Sequence, residues 1–383
     1  LKIVHILPLY KRAGAEVLFI NNLVNHNKNN KFENYVIGLG ISEEFKFLLQ
    51  DQNIKYIDIG KNKKQYIPNL FKILNFIKSN KADVIYGQNL SGNILATFLG
   101  KFMLKKKVIC HERGGAWLIR KPVSKILVKF WVLFSDKIFC NSNASKRILE
   151  LKYGADKNKI KIIHNGAYMP NSTVKDVNKK KKIVFVGRLE KLKSPATVIE
   201  VINILKKEHG IKYECDIIGD GPLKKELESL KNSYELDNIR LLGSVNNVKD
   251  YLEDARYMIL PSIREPFGNV LVESALNNVI PLATKIDGIP EVVKDGETGI
   301  LFEPQIAIYD KDLPEVVYNP MTDSLVKPME IDPYLIVREI LNLDSNFLKR
   351  EAIIQSGYKR AYENFTISSY NERLNYAIEQ CFK

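Results

Sequence analysis

The strongest constraint on this chain is an alternation of short apolar runs with amphipathic stretches, which breaks once and then restarts. Apolar runs fall at Ile3–Leu7, Tyr35–Leu39, Lys55–Ile59, Val84–Tyr86, Val108–His111, Lys137–Cys140 and Ile160–His164. Amphipathic stretches separate most of them, near Ala15–Asn27, Asn69–Ser79, Asn93–Leu104, Val123–Phe134 and Ala144–Lys152. Parallel strands need long crossovers, and helices supply them, so the pattern predicts a doubly wound parallel sheet covered on both faces. Polar residues up to Lys179-Lys180-Lys181-Lys182 then interrupt the pattern and read as a linker.

The alternation resumes with runs at Ile183–Val186, Glu214–Ile218, Arg240–Leu242, Tyr257–Leu260 and Ile280–Ala283. Helical stretches lie near Ala196–His209 and Leu223–Leu230, and a short one over Val270–Asn277 opens directly after Gly268. The expected fold class is therefore α/β, with two Rossmann-like doubly wound domains facing each other across a cleft. Ligands in such sheets sit at the carboxyl ends of the strands. Pro314, Pro320, Pro328 and Pro333 break the pattern over Ile306–Pro333, which reads as an irregular insertion, and the tail from Asp344 to Phe382 reads as helical. The expected boundaries are 1–172, a linker at 173–182, 183–362 with the insertion at 306–333, and a terminal helix at 363–383.

At 383 residues and 45% hydrophobic content, the chain can bury sizeable cores without disulfide or metal staples. Cys110, Cys140 and Cys215 sit in apolar runs and read as buried thiols, and no C-x-x-C pair occurs. A reducing, cytoplasmic setting fits. The start reads as a strand rather than a signal peptide, and no apolar run reaches the ~18 residues of a spanning helix.

Charge is divided unevenly. Residues 1–172 hold 29 Lys and Arg against 11 Asp and Glu, a net +18, whereas residues 173–383 hold 29 against 33, a net −4. The excess points the first half toward something anionic: nucleic acid, lipid headgroups or a phosphorylated substrate. A general Lys- and Asn-rich bias would give the same excess with no partner at all.

Two motifs carry chemistry. Gly187-Arg188-Leu189, with Lys193 beyond, delivers cations from a strand end, which suits a diphosphate: Arg as a bidentate fork, Lys as a point charge. By itself it is matched by ordinary surface cations. The run from Arg264 through Glu265, Pro266, Phe267, Gly268, Asn269, Val270, Leu271 and Val272 to Glu273 puts one carboxylate before a helix and another inside it. The opening amides of that helix have no intrahelical partner and make an anion site. Ionised carboxylates accept the hydroxyls of a sugar. The plain alternative is a turn Glu and a surface helix Glu.

Taken in order, Gly187-Arg188-Leu189…Lys193, Gly219-Asp220-Gly221-Pro222-Leu223, Pro261-Ser262…Glu265-Pro266-Phe267-Gly268…Glu273, Gly288-Ile289-Pro290-Glu291 and Asp295-Gly296…Thr298-Gly299 resemble the retaining glycosyltransferases of family 4 (group 1), which have the GT-B fold. Ala13-Gly14-Ala15-Glu16, His111 and Asn165-Gly166 extend the resemblance into the first half. The resemblance implies that Glu265 holds donor-sugar hydroxyls, Glu273 the nucleotide ribose, and Arg188 and Lys193 the donor diphosphate. Phe267, Gly268, Asn269, Val270 and Leu271 would meet sugar and phosphate through backbone amides. Gly219, Gly221, Pro222 and Leu223 would line the base side. Gly14 and Glu16 would lie in the first loop beside donor phosphate and acceptor, and His111 would contact the donor sugar. Two departures concern the acceptor side: Ala13 stands where many members have glycine, and Glu112-Arg113 follow His111.

The implied activity is transfer of a hexose or N-acetylhexosamine from a nucleotide-diphosphate sugar, UDP favoured, with retained configuration and no cofactor or metal. The first domain would bind a saccharide or lipid-linked acceptor for a cell-envelope glycan such as lipopolysaccharide or capsule, and the terminal helix would pack back toward it. Between Trp117 and Trp131, Arg120, Lys121, Lys125 and Lys129 alternate with large apolar residues, a pattern suited to the inner face of the cytoplasmic membrane with Trp and Lys at headgroup depth. An amphipathic core helix with a solvated basic face is the alternative. Rival classes are a nucleotide-sugar 2-epimerase or hydrolase on the same fold, and a basic nucleic-acid-binding protein, although no recognisable nucleic-acid module is present. A dinucleotide oxidoreductase is disfavoured because no G-x-G-x-x-G follows a first strand.

Overall fold

The computed structural model describes residues 1–10, 14–29, 32–119, 121–169 and 179–381. Ala13, Arg120 and residues 173–178 of the expected linker lie outside the described residues. The chain groups into two units, Leu1–His164 with Tyr370–Lys383, and Asn165–Ser369.

In the first unit, β1 (Lys2–Leu9), β2 (Glu33–Ile41), β3 (Lys55–Asp58), β4 (Val84–Gln88), β5 (Lys107–Glu112), β6 (Lys137–Cys140) and β7 (Ile160–Ile162) form one sheet in the order β3-β2-β1-β4-β5-β6-β7. Every pairing is parallel. The central strands are buried on both faces, as a helix-covered parallel sheet requires, and so read as continuous apolar runs. The helices are α1 (Gly14–Asn29), α2 (Glu43–Asp51), α3 (Leu70–Ser79), α4 (Asn89–Thr97), α5 (Pro122–Phe134) and α6 (Asn143–Tyr153). The apolar run expected as one helix over Asn93–Leu104 is instead α4 followed by a π-helical turn at Phe98–Met103. Helix α2 escapes the sequence reading because it is short. It forms because the Ser42 hydroxyl caps Phe45 N and because Phe45 and Leu49 share a buried stripe.

The second unit contains β8 (Lys182–Val186), α7 (Pro195–His209), β9 (Glu214–Ile218), α8 (Lys224–Ser233), β10 (Ile239–Gly243), α9 (Lys249–Asp254), β11 (Tyr257–Leu260), α10 (Asn269–Leu276), β12 (Ile280–Thr284), α11 (Ile289–Val292) and β13 (Ile300–Phe302). Its parallel sheet runs β10-β9-β8-β11-β12-β13. The stretch read as irregular holds two small antiparallel ladders, β14 (Ile306–Ala307) with β17 (Met329–Glu330) and β15 (Val317–Asn319) with β16 (Ser324–Val326). Helices α12 (Pro333–Ser345), α13 (Phe347–Asn364) and α14 (Ile367–Gln380) follow. The helical tail thus begins at Pro333, not near Asp344. Proline suits a first helical position, where its missing N–H costs nothing, and Asp332 accepts from Tyr334 N at 2.9 Å.

From Tyr370 onward, α14 belongs to the first unit. Asn22 of α1 donates to Asn371 at 3.0 Å, and His26 meets Asn375 at 2.6 Å. Asn34 of β2 meets both His26 and His5. Burial pushes the His5 imidazole down to about 3, so it bonds there as a neutral ring. Trp117 and Trp131 are 1% and 0% exposed, which removes them from headgroup depth. Trp131 lies on the inward stripe of α5 with Val128 and Val132. The three thiols Cys110, Cys140 and Cys215 are buried, and none is in a disulfide among the described residues.

A buried charge cluster ties the second sheet together. Lys182 Nζ lies 2.8 Å from Asp216, whose other oxygen takes Arg240 Nε at 2.7 Å. Burial raises the Asp216 carboxyl, but the two cations outweigh it and hold it below its ordinary value. Asp216→Ala leaves Lys182 buried without its counter-charge, and about 3 kcal/mol of stability should be lost in urea denaturation.

Candidate active site

In each sheet the strand order reverses beside the unit's first strand, between β1 and β4 and between β8 and β11. Loops leaving two such neighbours diverge to opposite faces and open a crevice at the strand ends. The sequence motifs of the second unit occupy that position: Gly187–Lys193 follows β8, and Pro261–Gly268 follows β11.

The first of these loops is stitched to the loop after β9. Gly187 N donates to Ile218 O at 3.0 Å, Leu189 N to Asp220 O at 3.0 Å, and Leu223 N to Leu189 O at 3.0 Å. Gly219, at φ +134°, lies so close that a Cβ there would fall 1.9 Å from Gly187 O. A Cβ at Gly221 would fall 2.4 Å from Leu189 O, and Pro222 stands exposed beyond it. A bond from Ile263 N to Leu192 O at 3.0 Å draws the β11 loop alongside.

This brings Lys193 to Glu265, Nζ to Oε2 at 2.5 Å, with both side chains largely buried. Arg188 does not join them. Its guanidinium pairs with Glu190 at 2.8 Å and is 71% exposed. Gly268 takes φ +90° at the cap of α10, a conformation costly for other residues, and so turns the chain into the helix. Asn165 Nδ2 donates to Asn269 Oδ1 at 3.0 Å and orients the first helical residue. Phe267 is buried edge-on against Phe365, Leu271 is buried, and Val270 packs against the core.

Glu273 lies one turn into α10, partly buried, with no hydrogen bond or ion pair to its carboxyl among the described residues. Burial alone pushes that carboxyl up to about 7. It is an acceptor without a donor.

Asp287 is the residue that sequence reasoning missed. It is buried, and its carboxylate accepts Glu265 N at 2.9 Å and Tyr318 N at 2.8 Å. Its own N–H donates to Tyr318 O at 3.0 Å. One side chain thus fastens the Glu265 loop to β15 of the insertion. Ser194 Oγ donates to Glu330 at 2.9 Å, and Lys191 meets Asp310 at 2.5 Å, so the insertion also braces the Lys193 loop. The signal in the sequence is the Asp-Gly pair just before Ile289-Pro290-Glu291. The sequence reading also passes over an Asp-x-Asp spacing, Asp310-Lys311-Asp312, whose two carboxylates lie 2.5 and 4.0 Å from Lys191 Nζ.

In the first unit, Gly14 opens α1, and Glu16 lies in its first turn. Burial raises the Glu16 carboxyl, opposed by the charge of Arg113 and a bond to Asn89. Arg113 reaches Tyr370 OH at 3.0 Å. His111 is fully buried at the end of β5, its Nδ1 2.8 Å from Tyr86 OH, and burial with Arg113 nearby keeps the imidazole neutral. Its Nε2 has no partner among the described residues. Glu112 accepts Gly114 N and Ala116 N at 2.7 and 2.9 Å, so it shapes the following turn.

Comparison with known proteins gives the family and the fold. Residues 14–168 match the model "Glycosyltransferase Family 4", and residues 171–319 match "Glycosyl transferases group 1". The chain belongs to the group 1 glycosyltransferases of GT-B fold. The capsular polysaccharide biosynthesis glycosyltransferase CapH of Staphylococcus aureus is 29% identical over 305 residues, covering 76% of this chain and 83% of CapH. A Campylobacter jejuni enzyme, the GalNAc-alpha-(1->4)-GalNAc-alpha-(1->3)-diNAcBac-PP-undecaprenol alpha-1,4-N-acetyl-D-galactosaminyltransferase, is 26% identical over 246 residues, 63% of this chain and 67% of that enzyme. Among solved structures, Anabaena Alr3699/HepE in complex with UDP-glucose aligns at TM-score 0.78 and 17% identity over 99% of both chains. As in any such glycosyltransferase, the chemistry is glycosyl transfer.

The Glu273 carboxyl has a stability consequence. Folded, it keeps its proton up to about 7, whereas unfolded it releases near the ordinary 4.5. The folded state therefore binds more protons between these values, and stability falls as pH rises through that window; Asp287, also raised to about 7, acts in the same sense. Glu273→Gln should flatten this fall and melt above the parent at about pH 8 in calorimetry.

Proposed function

We propose that this glycosyltransferase is a retaining enzyme that takes a hexose or N-acetylhexosamine from a nucleotide-diphosphate donor, a UDP-sugar, and passes it to a saccharide or lipid-linked saccharide of a cell-envelope glycan. The observation that carries this reading is the Lys193–Glu265 pair at the sheet's switch point, beside the start of α10 and the unpartnered Glu273. A donor with a diphosphate, a sugar and a ribose offers one chemical match for each of these groups. The HepE structures with UDP and UDP-glucose, and relatives named for capsule and for undecaprenol-linked glycans, support the same donor and acceptor classes.

In this reading Lys193, Arg188 swinging from Glu190, and the opening amides of α10 at Asn269 and Val270 meet the charge that develops on the departing diphosphate. Glu265 accepts hydroxyls of the sugar, and Glu273 ionises as the ribose hydroxyls donate to it. Gly219, Gly221, Pro222 and Leu223 border the base. The bond from the anomeric carbon to the diphosphate oxygen breaks, and the acceptor oxygen bonds to the same face. The acceptor's proton passes to the diphosphate. These cations and amides carry the leaving charge without a divalent cation. The first unit receives the acceptor, with Gly14 and Glu16 at its strand ends and the neutral His111 beneath Arg113. The work is done at the inner face of the cytoplasmic membrane.

Lys193→Ala and Glu265→Gln should each lower kcat/KM for transfer by about 10²–10³-fold. UDP should raise the melting temperature of the parent more than that of Lys193→Ala. Excess EDTA should leave the transfer rate unchanged. Parental rates in both variants would defeat the site assignment, and donor consumed to an epimer or free sugar without acceptor would favour the epimerase or hydrolase reading.

A further inference from the structure

Helix α5 is apolar on both sides. Its inward stripe is Val128, Trp131 and Val132, and its outward stripe includes Val123, Ile126 and Leu133, which are 69%, 65% and 65% exposed. The adjoining π-helical turn adds Phe98, Phe102 and Met103, each more than 40% exposed. The two elements are joined by a cluster of rings. Phe102 lies 5.6 Å from Phe130 and 5.1 Å from Phe134, and Phe130 lies 5.4 Å from Phe134. A contiguous apolar face of this kind marks an interaction site rather than ordinary surface.

The charge around the face selects its occupant. Residues 98–134 contain nine Lys and Arg and a single acid, Glu112, which is turned inward onto backbone amides. Lys125 and Lys129 lie on α5, and Lys105, Lys106 and Lys107 follow the aromatic turn. A second copy of this chain would bring the same positive charge to the contact. A bilayer surface with anionic phospholipid offers apolar depth and negative charge together. The geometry also sets how the helix would meet it. Thirteen residues of helix span about 20 Å, short of the ~30 Å hydrocarbon core, so α5 can lie in the interface but not cross it. Among the described residues, no helix is long and apolar enough to span.

We infer that the phenylalanine face formed by α5 and the Phe98–Met103 turn is the surface by which this glycosyltransferase docks on an anionic bilayer, with aromatic and aliphatic side chains entering the acyl boundary and the flanking lysines reaching the headgroups. This stands on the first unit alone and does not depend on the donor assignment.

The test is co-sedimentation of the full chain with phosphatidylcholine vesicles, with and without phosphatidylglycerol. The parent should pellet with the anionic vesicles and lose that binding at high salt. Ile126→Ser with Leu133→Ser, both already solvated, should reduce partition at least about tenfold. Lys125→Gln with Lys129→Gln should reduce it about tenfold and weaken its salt dependence. Phe102→Ser with Phe134→Ser should act like the first pair. Equal partition on neutral and anionic vesicles, or parental partition of all three double variants, would overturn the assignment. So would a parental dimer in sedimentation velocity that the Ile126/Leu133 pair abolishes, since the face would then belong to a second copy. The thermal shift given by UDP should be the same in the parent and all three variants. Its absence from the parent would count against the donor reading and leave the vesicle result standing.

Discussion

One buried side chain, Asp287, is a central fastening of the candidate site. Its carboxylate accepts one amide from the Glu265 loop and one from β15. A buried carboxylate with two amide donors and the Arg264 charge nearby is worth its burial only while those partners stay in place. The Lys193–Glu265 pair depends on where that loop is held, together with the Ile263–Leu192 bond, and Gly268 and Asn165 set the start of α10. The insertion, rich in proline and without helical period, is thus a brace for the loop rather than an ornament on the surface.

The two sheets show why the site lies where it does. Each reverses its strand order beside its first strand, and each gathers its polar, strained and glycine-bearing loops there. In the second unit this collects Gly187–Lys193, Gly219–Leu223 and Glu265–Glu273, which lie nearly ninety residues apart at their extremes. In the first unit it collects Gly14, Glu16, His111 and Arg113. The chemistry differs: the second unit offers a cation, an anion and free helix amides, whereas the first offers a buried neutral imidazole under an arginine. That asymmetry agrees with a charged ligand group on the second unit and a hydroxyl-bearing one on the first.

The proposed docking through α5 would rest on residues distinct from both strand-end clusters. Nine of the 29 Lys and Arg of the first half fall in residues 98–134, around that face. Trp117 and Trp131 are buried within the unit, and phenylalanines of the Phe98–Met103 turn and of α5 are the rings at the outer face.

Periodicity and motif order alone determined the two α/β units and most strand positions and singled out the strand-end motifs of the second unit, because strands buried on both faces and glycine-dependent turns leave marks in consecutive residues. The family followed from the order of those motifs. What only the tertiary structure decided depends on contacts between distant segments. Asp287 reads as an ordinary turn residue until Tyr318 and Glu265 meet it. Arg188 and Lys193 look like a pair, yet the geometry sends one to Glu190 and the other to Glu265. The inward turn of Trp131 and the outward turn of Phe134 follow from which stripe of α5 packs on its unit, and a helix with two apolar stripes carries no such instruction in its sequence.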